Sequence, residues 1–364
     1  MSFSQHTCSA RSQKIALTNV RVFDGHRLCE PGTVVIDGAQ IGNDSAGAHE
    51  IDGQGGILIP GLIDTHVHLL HAGHLEQLSK YGVTTALDMA MWPVTRVNSL
   101  RAKAGTTDIR SCGIPAVAPG SGHSRIPGMP DDASVASPAD AERFVIARVS
   151  EGSDYIKIIS DIPGHDQATL NALVTAAYKH SKLTIAHTST SAAFAMAQAA
   201  KVDIVTHVPL DIALSDKAIE LMLADHRIAI PTLTMMKAVV TGGKKPGADY
   251  AHSHESVSAM YRAGVPILAG TDANEAPGVP ATVRYGESIH EELELLVDAG
   301  LSNLDALRAA TSLPAKYFGL NDRGIIEPGR RADLVLLSGD PLKDIHQTRS
   351  IRRVWCGGIE VALS

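Results

Sequence analysis

Residues 61–69 read GLIDTHVHL, and the His66-x-His68 pair inside this run constrains the chain more than any other stretch. Leu62, Ile63 and Val67 make its surroundings apolar and partly β-branched, so the segment reads as a buried strand. In a strand, residues i and i+2 project to one side, which puts two imidazoles into one space near the strand's end. Neutral imidazole is the commonest protein ligand for zinc-like ions. The motif is short, however, and two core histidines held by hydrogen bonds fit it equally well. The rest of the chain has to decide between them.

Outward from this pair, residues 61–320 alternate apolar, strand-like pieces with amphipathic or Ala-rich ones. Strands are expected in LIDTHVHL (62–69), VTTALDMA (83–90), IRSCGIPAVAP (109–119), YIKIISD (155–161), LTIAHTS (183–189), DIVTHVP (203–209), RIAIPTLT (227–234) and VPILAGTD (265–272). Helices are expected in ADAERFVIARVSEG (139–152), ATLNALVTAAYKHS (168–181), SAAFAMAQAAK (191–201), DKAIELMLADH (216–226) and HESVSAMYRAG (254–264). Strands with helical crossovers over such a length match the roughly 250 residues of a (β/α)8 barrel. KIALTNVRVFD, GTVVIDGAQI and GGILIP before the barrel, and RADLVLLSGD and IRRVWCGGIEVAL after it, read as β-pieces. The expected fold class is therefore α/β: a TIM-like (β/α)8 barrel over 61–320, with a small β-sandwich domain built jointly from 14–60 and 321–364. Residues 1–13 are polar and read as a disordered tail without a secretory signal, and a cytoplasmic location is the default.

Composition narrows the function. Of 364 residues, 44% are hydrophobic and 20% charged, as in a globular protein, and the net charge of −7 argues against nucleic acid or an anionic membrane as partner. No run approaches the ~18 apolar residues of a membrane span. The four cysteines, Cys8, Cys29, Cys112 and Cys356, are scattered and read as incidental thiols, not as a disulfide framework.

Function in such barrels sits at the carboxyl ends of the strands. His66 and His68 lie there on the first strand, Lys157 on the fourth, His187 on the fifth, His207 on the sixth and Asp272 on the eighth. Each belongs to an apolar run, where an unpaired charge is costly. One such histidine reads as core packing, but a full set on the correct strands reads as a site.

The pieces PGLIDTHVHL, YGVTTALDM, GSDYIKIISD, HTSTSAAFAMAQAAKVDIVTH, LAGTDA, HEELELLVDAGLSNLDALRAATSLPAKYFGL and GIIEPGRRADLVLLSGDPLKDI together resemble the metal-dependent amidohydrolase superfamily. The likeness is nearest to its imidazolonepropionase-like, carboxypeptidase- and prolidase-like branch and spans the chain from Lys14 onward. The resemblance implies a two-metal site, with Zn2+ the expected ion. His66, His68 and Asp272 would hold the more buried ion, His187 and His207 the more exposed one, and a carbamylated Lys157 would bridge them. The alternative for Lys157 is an ammonium reaching to solvent or pairing with Asp161. Two divalent ions set against a carbamate, Asp272 and a hydroxide leave one net positive charge, which suits an anionic transition state or a carboxylate on the small-molecule substrate. The implied reaction is amide hydrolysis by a metal-bridging hydroxide, water ionised near pH ~7 instead of 15.7, with Asp272 carrying the proton to the leaving amine. N-acyl amino acids, dipeptide-like compounds and cyclic amides are the substrates in view. The alternatives are ester, lactone or carbamate hydrolysis, a lyase or deaminase on the same barrel, a degenerate binding protein, or a single-ion site.

Further residues are candidates for substrate contact. His123, in the loop APGSGHSRIPGMP, is placed to hydrogen-bond the substrate carbonyl as an oxyanion stabiliser, and Arg125 to bind a carboxylate. His290, opening HEELELL, and Met236, after the seventh strand with Met235 and Lys237, are candidates for the pocket wall. His71, His74, His165, His252 and His254 read as surface or loop residues, Asp88 as a structural hydrogen-bonding group, and VTGGKKPGADY (240–250) as a solvated loop. Superfamily members often assemble, so a homo-oligomer is open.

Overall fold

The computed structural model describes residues 14–243 and 245–363. The tail expected at 1–13 lies outside them. The chain opens with β1 (Ile15–Val22), β2 (Gly32–Asp37), β3 (Gln40–Gly42), β4 (His49–Asp52) and β5 (Ile57–Pro60). It continues through β6 (Leu62–Val67), β7 (Val83–Asp88), β8 (Asp108–Ser111), β9 (Ile156–Ile159), β10 (Thr184–His187), β11 (Ile204–Thr206) and β12 (Ile228–Ile230), and ends with β13 (Leu334–Leu337), β14 (Ile351–Cys356) and β15 (Ile359–Glu360). The first and last groups share one sheet of order β15-β14-β13-β5-β1-β2-β3, with β4 on β1. Antiparallel pairing of Ile57–Pro60 with Leu334–Leu337 joins the two ends of the sequence.

Between them lie two parallel sheets, β6-β7-β8 and β12-β11-β10-β9. β6, β7 and β9 are buried on both faces, which is why they read as largely apolar runs. Backbone hydrogen bonds continue the order past both sheets. Ala116 N donates to Lys157 O at 2.9 Å and Ile159 N to Ala116 O at 2.9 Å, so the third expected strand resumes after Gly113 and Pro115 break it. The eighth expected strand is not a regular ladder. Leu268 N bonds Ala229 O on one side, while Thr65 N bonds Ala269 O and Asp272 N bonds His66 O on the other. Pro266 lacks an N–H and Asp272 turns the backbone to φ 56°, so only isolated bridges form. Gly270 fits here because a Cβ would lie 2.6 Å from Ile230 Cγ2 and 2.8 Å from Thr65 Oγ1.

Helices follow the strands: α1 (Ala72–Lys80), α2 (Val94–Leu100), α3 (Pro138–Ser150), α4 (Gln167–Lys179), α5 (Ser191–Ala199), α6 (Asp216–Ala224), α7 (Leu233–Thr241), α8 (Tyr250–Ala263), α9 (Glu287–Asp298), α10 (Asn303–Ala309) and α11 (Ser312–Tyr317). In α4, Leu170, Leu173, Val174 and Ala177 form the helical stripe that packs on the strands, and Asp166 caps the start through Thr169 N at 2.8 Å. Among the described residues no helix is long and apolar enough to cross a membrane.

α7 departs from the expected strand over RIAIPTLT. Pro231 and a left-handed Thr232, φ 50°, end β12 at Ile230, and a helix starts at Leu233. Its first amides are satisfied from a distance: Leu233 N and Thr234 N donate to the buried Glu292 carboxylate of α9 at 3.0 and 2.8 Å, with Thr234 Oγ1 at 2.8 Å. Burial nevertheless outweighs these bonds and pushes the Glu292 carboxyl up to about 8, above its ordinary 4.5. A raised acid keeps its proton in the folded state while the unfolded chain ionises, so stability falls as pH rises from about 4.5 to about 8. Denaturant midpoints of wild type and Glu292→Gln, measured across this window, should shift progressively in favour of the glutamine variant. A constant difference between the two would show that Glu292 is ionised throughout.

Candidate metal centre

One strand end, that of β6, and a turned segment make the first cluster. The ligating atoms of His66, His68 and Asp272 lie within 4.8 Å of one another. Asp272 Oδ1 is 3.3 Å from His66 Nε2 and 3.0 Å from His68 Nε2. The other nitrogen of His66, Nδ1, meets Thr206 Oγ1 at 2.8 Å, which leaves Nε2 for the centre. Asp64 ties the two segments together: it accepts from His66 N at 3.2 Å, Thr271 N at 3.0 Å and Thr271 Oγ1 at 2.7 Å. Asp88 similarly accepts from Leu69 N and Ser111 Oγ, the structural role expected of it.

The neighbouring strands supply the rest. His207 Nδ1 meets Thr232 Oγ1 at 2.6 Å, and its Nε2 faces His187 Nδ1 at 2.9 Å. Burial holds His66, His187 and His207 well below the usual imidazole range, so all three are neutral bases with a lone pair to offer. Lys157 rises from β9 with 2% of its surface exposed. Burial draws its ammonium down to about 8, and its charge is felt at His66, His187 and His207.

The donor set fits divalent ions. Among the described residues, His66 Nε2, Lys157 Nζ and Asp272 Oδ1 are buried and make no hydrogen bond. An orphaned buried polar atom costs roughly 1–3 kcal/mol, and His66 Nε2 and Asp272 Oδ1, 3.3 Å apart, are explained by a cation they would share.

A second cluster unites His123, Asp161 and His187. His123 Nδ1 pairs closely with Asp161 Oδ2, and Asp161 Oδ1 lies 3.5 Å from His187 Nε2. Burial would raise the Asp161 carboxyl, but the His123 hydrogen bond and the surrounding cationic groups outweigh it and hold it near 2. This corrects the alternative reading of Lys157, which neither reaches solvent nor pairs with Asp161.

Other expected contacts are not brought to the centre. His290 is 1% exposed and both its nitrogens are engaged, Nδ1 with Thr348 Oγ1 at 3.0 Å and Nε2 with Tyr81 O at 3.1 Å. Arg125 is exposed and donates to Gly120 O of its own loop at 2.9 Å. Met236 is buried in the main core on α7, beside Met235, while Lys237 pairs with Glu291. His74 and His165 are buried, against the surface reading: His74 stacks on Tyr285, with ring centroids 3.8 Å apart.

Sequence reasoning missed Thr206, Thr232 and the double contact of Asp161. It also missed Lys245, which lies in the run read as a solvated loop. Lys245 is half-buried and donates to Ser189 O and Oγ at 3.2 and 3.1 Å, two residues past His187. The one available signal was position, since Thr206 precedes a candidate ligand and Asp161 follows the Lys157 strand.

Comparison with known proteins places this centre in a family. A 26% identical protein of Mycobacterium tuberculosis (strain H37Rv), itself uncharacterised, aligns over 345 residues, 84% of this chain and 85% of its own. An adenine deaminase of Methylobacterium sp. (strain 4-46) is 28% identical over 86% of this chain and 51% of its own. The chain thus spans about half, or less, of the length of the adenine deaminases it matches. A solved Xaa-Pro dipeptidase with bound methionine in its active site shares the fold, with a TM-score of 0.82 at 21% identity over 96% of this chain and 99% of that one. The Amidohydrolase family profile matches residues 57–361, and the chain belongs to that family of metal-dependent hydrolases.

Proposed function

We propose that the protein is a binuclear metal-dependent amidohydrolase that cleaves the amide of an N-acyl amino acid, a dipeptide-like compound or a cyclic amide. Both parallel sheets and the 265–273 segment are read as one closed (β/α)8 barrel, with the strands of 14–60 and 321–364 as a composite β-sandwich domain beside it. The single observation that carries the reading is that His66 Nε2, Lys157 Nζ and Asp272 Oδ1 are all buried without a hydrogen bond.

His66, His68 and Asp272 would hold one ion, and His187 and His207 the other. Lys157, as a carbamate formed from carbon dioxide, would join them. Zn2+ suits this nitrogen and carboxylate set. Bound divalent ions supply water ionised near neutral pH and a Lewis acid for the carbonyl oxygen. The chain's own groups do the remainder. Asp272 takes the proton of the attacking water and returns it to the departing amine. Asp161 orients His123 through Nδ1, so its Nε2 turns to the substrate, where it donates to the carbonyl oxygen when both ring nitrogens carry a proton. Lys245, whose charge reaches Asp161 and His207, is better placed than Arg125 to receive a substrate carboxylate.

The likeness to a Xaa-Pro dipeptidase supports the dipeptide-like choice. The adenine deaminase relatives support a second reading, deamination of a purine on the same centre. A panel of dipeptides, N-acyl amino acids, cyclic amides, lactones, aryl esters and adenine separates them. The highest kcat/KM is expected on a substrate with a free carboxylate beside the scissile amide. Turnover confined to adenine, or to esters and lactones, would contradict the amide reading.

A further inference from the structure

Asp161 faces two imidazoles of different duty, His123 and His187. His187 presents Nδ1 to His207 Nε2 at 2.9 Å and Nε2 to Asp161 Oδ1 at 3.5 Å. The second distance is long for a hydrogen bond but short for attraction between a carboxylate and an N–H dipole. A neutral imidazole carries one proton, and its position decides what the 2.9 Å contact is. With the proton on Nδ1, His187 donates to His207 Nε2, and the two rings satisfy each other. With the proton on Nε2, two lone pairs converge on one point, a state a cation stabilises. His207 is already committed, because Thr232 Oγ1 at 2.6 Å can accept from its Nδ1–H.

We propose that Asp161 is a positioning residue that holds the His187 proton on Nε2 and keeps the His123 Nδ1 protonated. It thereby keeps the His187–His207 face open for an ion and the His123 Nε2 face open for substrate. One carboxylate oxygen serves each ring, since Oδ2 pairs with His123 Nδ1 and Oδ1 faces His187 Nε2. Carboxylates that fix the tautomer of a ligating histidine are a general feature of metal sites. This inference rests on the two-ion reading only for which ion His187 binds.

The test uses the full chain. Two-bond 15N–1H correlation spectra of the metal-free protein read each ring's tautomer directly, with His187→Gln and His123→Asn giving the assignments. Wild type should show His187 as the Nε2–H form and His123 with Nδ1 protonated. Asp161→Ala should move His187 toward the Nδ1–H form. In zinc titrations against a chromogenic chelator, Asp161→Ala should weaken one ion roughly 10–100-fold and leave the other within about threefold. The near-isosteric Asp161→Asn carries the same comparison if the alanine variant does not fold. Unchanged ring spectra would overturn the proposal, as would loss of a whole ion from a wild type that holds three, which would make Asp161 a direct ligand. If wild type holds no pair of ions, the two-ion reading fails, while the metal-free spectra still decide the role of Asp161.

Discussion

Lys157→Ala should release at least one ion and lower kcat/KM by roughly 10³-fold, about 4 kcal/mol of transition-state stabilisation. Removing the side chain deletes the only group expected to touch both ions. It should not unfold the protein, because the Lys157 amine is buried without a hydrogen bond and its removal leaves no partner unsatisfied. Metal-free Lys157→Ala should therefore be about as stable as metal-free wild type, which separates loss of a ligand from loss of the fold. The truncated side chain also leaves a void in β9, bounded by the faces that carry His66, His187 and His207. Acetate or propionate fits such a space and presents the oxygens the carbamate would have supplied, so either acid should restore part of the metal and part of the rate. Metal content by mass spectrometry and steady-state rates check both halves. Full metal content and full rate in Lys157→Ala would end the carbamate assignment.

Much of this centre could be read from the chain because its chemistry coincides with a strand's periodicity. His66 and His68 are two apart in an apolar run, so they had to face one way. His187 and His207 stand at comparable places in their own runs, Lys157 lies two residues earlier in its strand, and each sits where burial would be costly without a purpose. The orienting groups were not legible. Threonine is ordinary in a strand, and nothing local marks Thr206 or Thr232 as the partners of His66 and His207. Asp161 looked like a neighbour of Lys157 and instead turns to His123 and His187.

The α7 error has the same origin. RIAIPTLT has a strand's composition, but its last residues begin a helix whose amides are satisfied by Glu292, far along the chain. His290 suggested a substrate contact by its place at a helix start, and only the packing of α9 against Tyr81 and Thr348 reveals that it is structural. In each case a tertiary partner overrode a local signal, and the local signal was correct wherever the partner lay on the same strand or the next.

Removal of metal should have the largest effect of all. The His66, Lys157 and Asp272 atoms are buried without a hydrogen bond, so bound ions would replace unsatisfied groups with coordination and should stabilise the fold as well as supply the reaction. At a free metal concentration 1,000 times Kd, the stabilisation is about 4 kcal/mol, and chelation should lower the thermal midpoint accordingly. Activity should fall by at least roughly 10³-fold, because the chain's own residues offer no other means of ionising water near neutral pH. The decisive measurement is the ion count per chain in carefully purified protein, followed through chelation and stepwise return of zinc. Two ions per chain, activity lost on removal, and recovery that is complete only as the second ion returns are the expected result. Fewer than one ion per chain, or activity that survives removal, would contradict the two-ion centre.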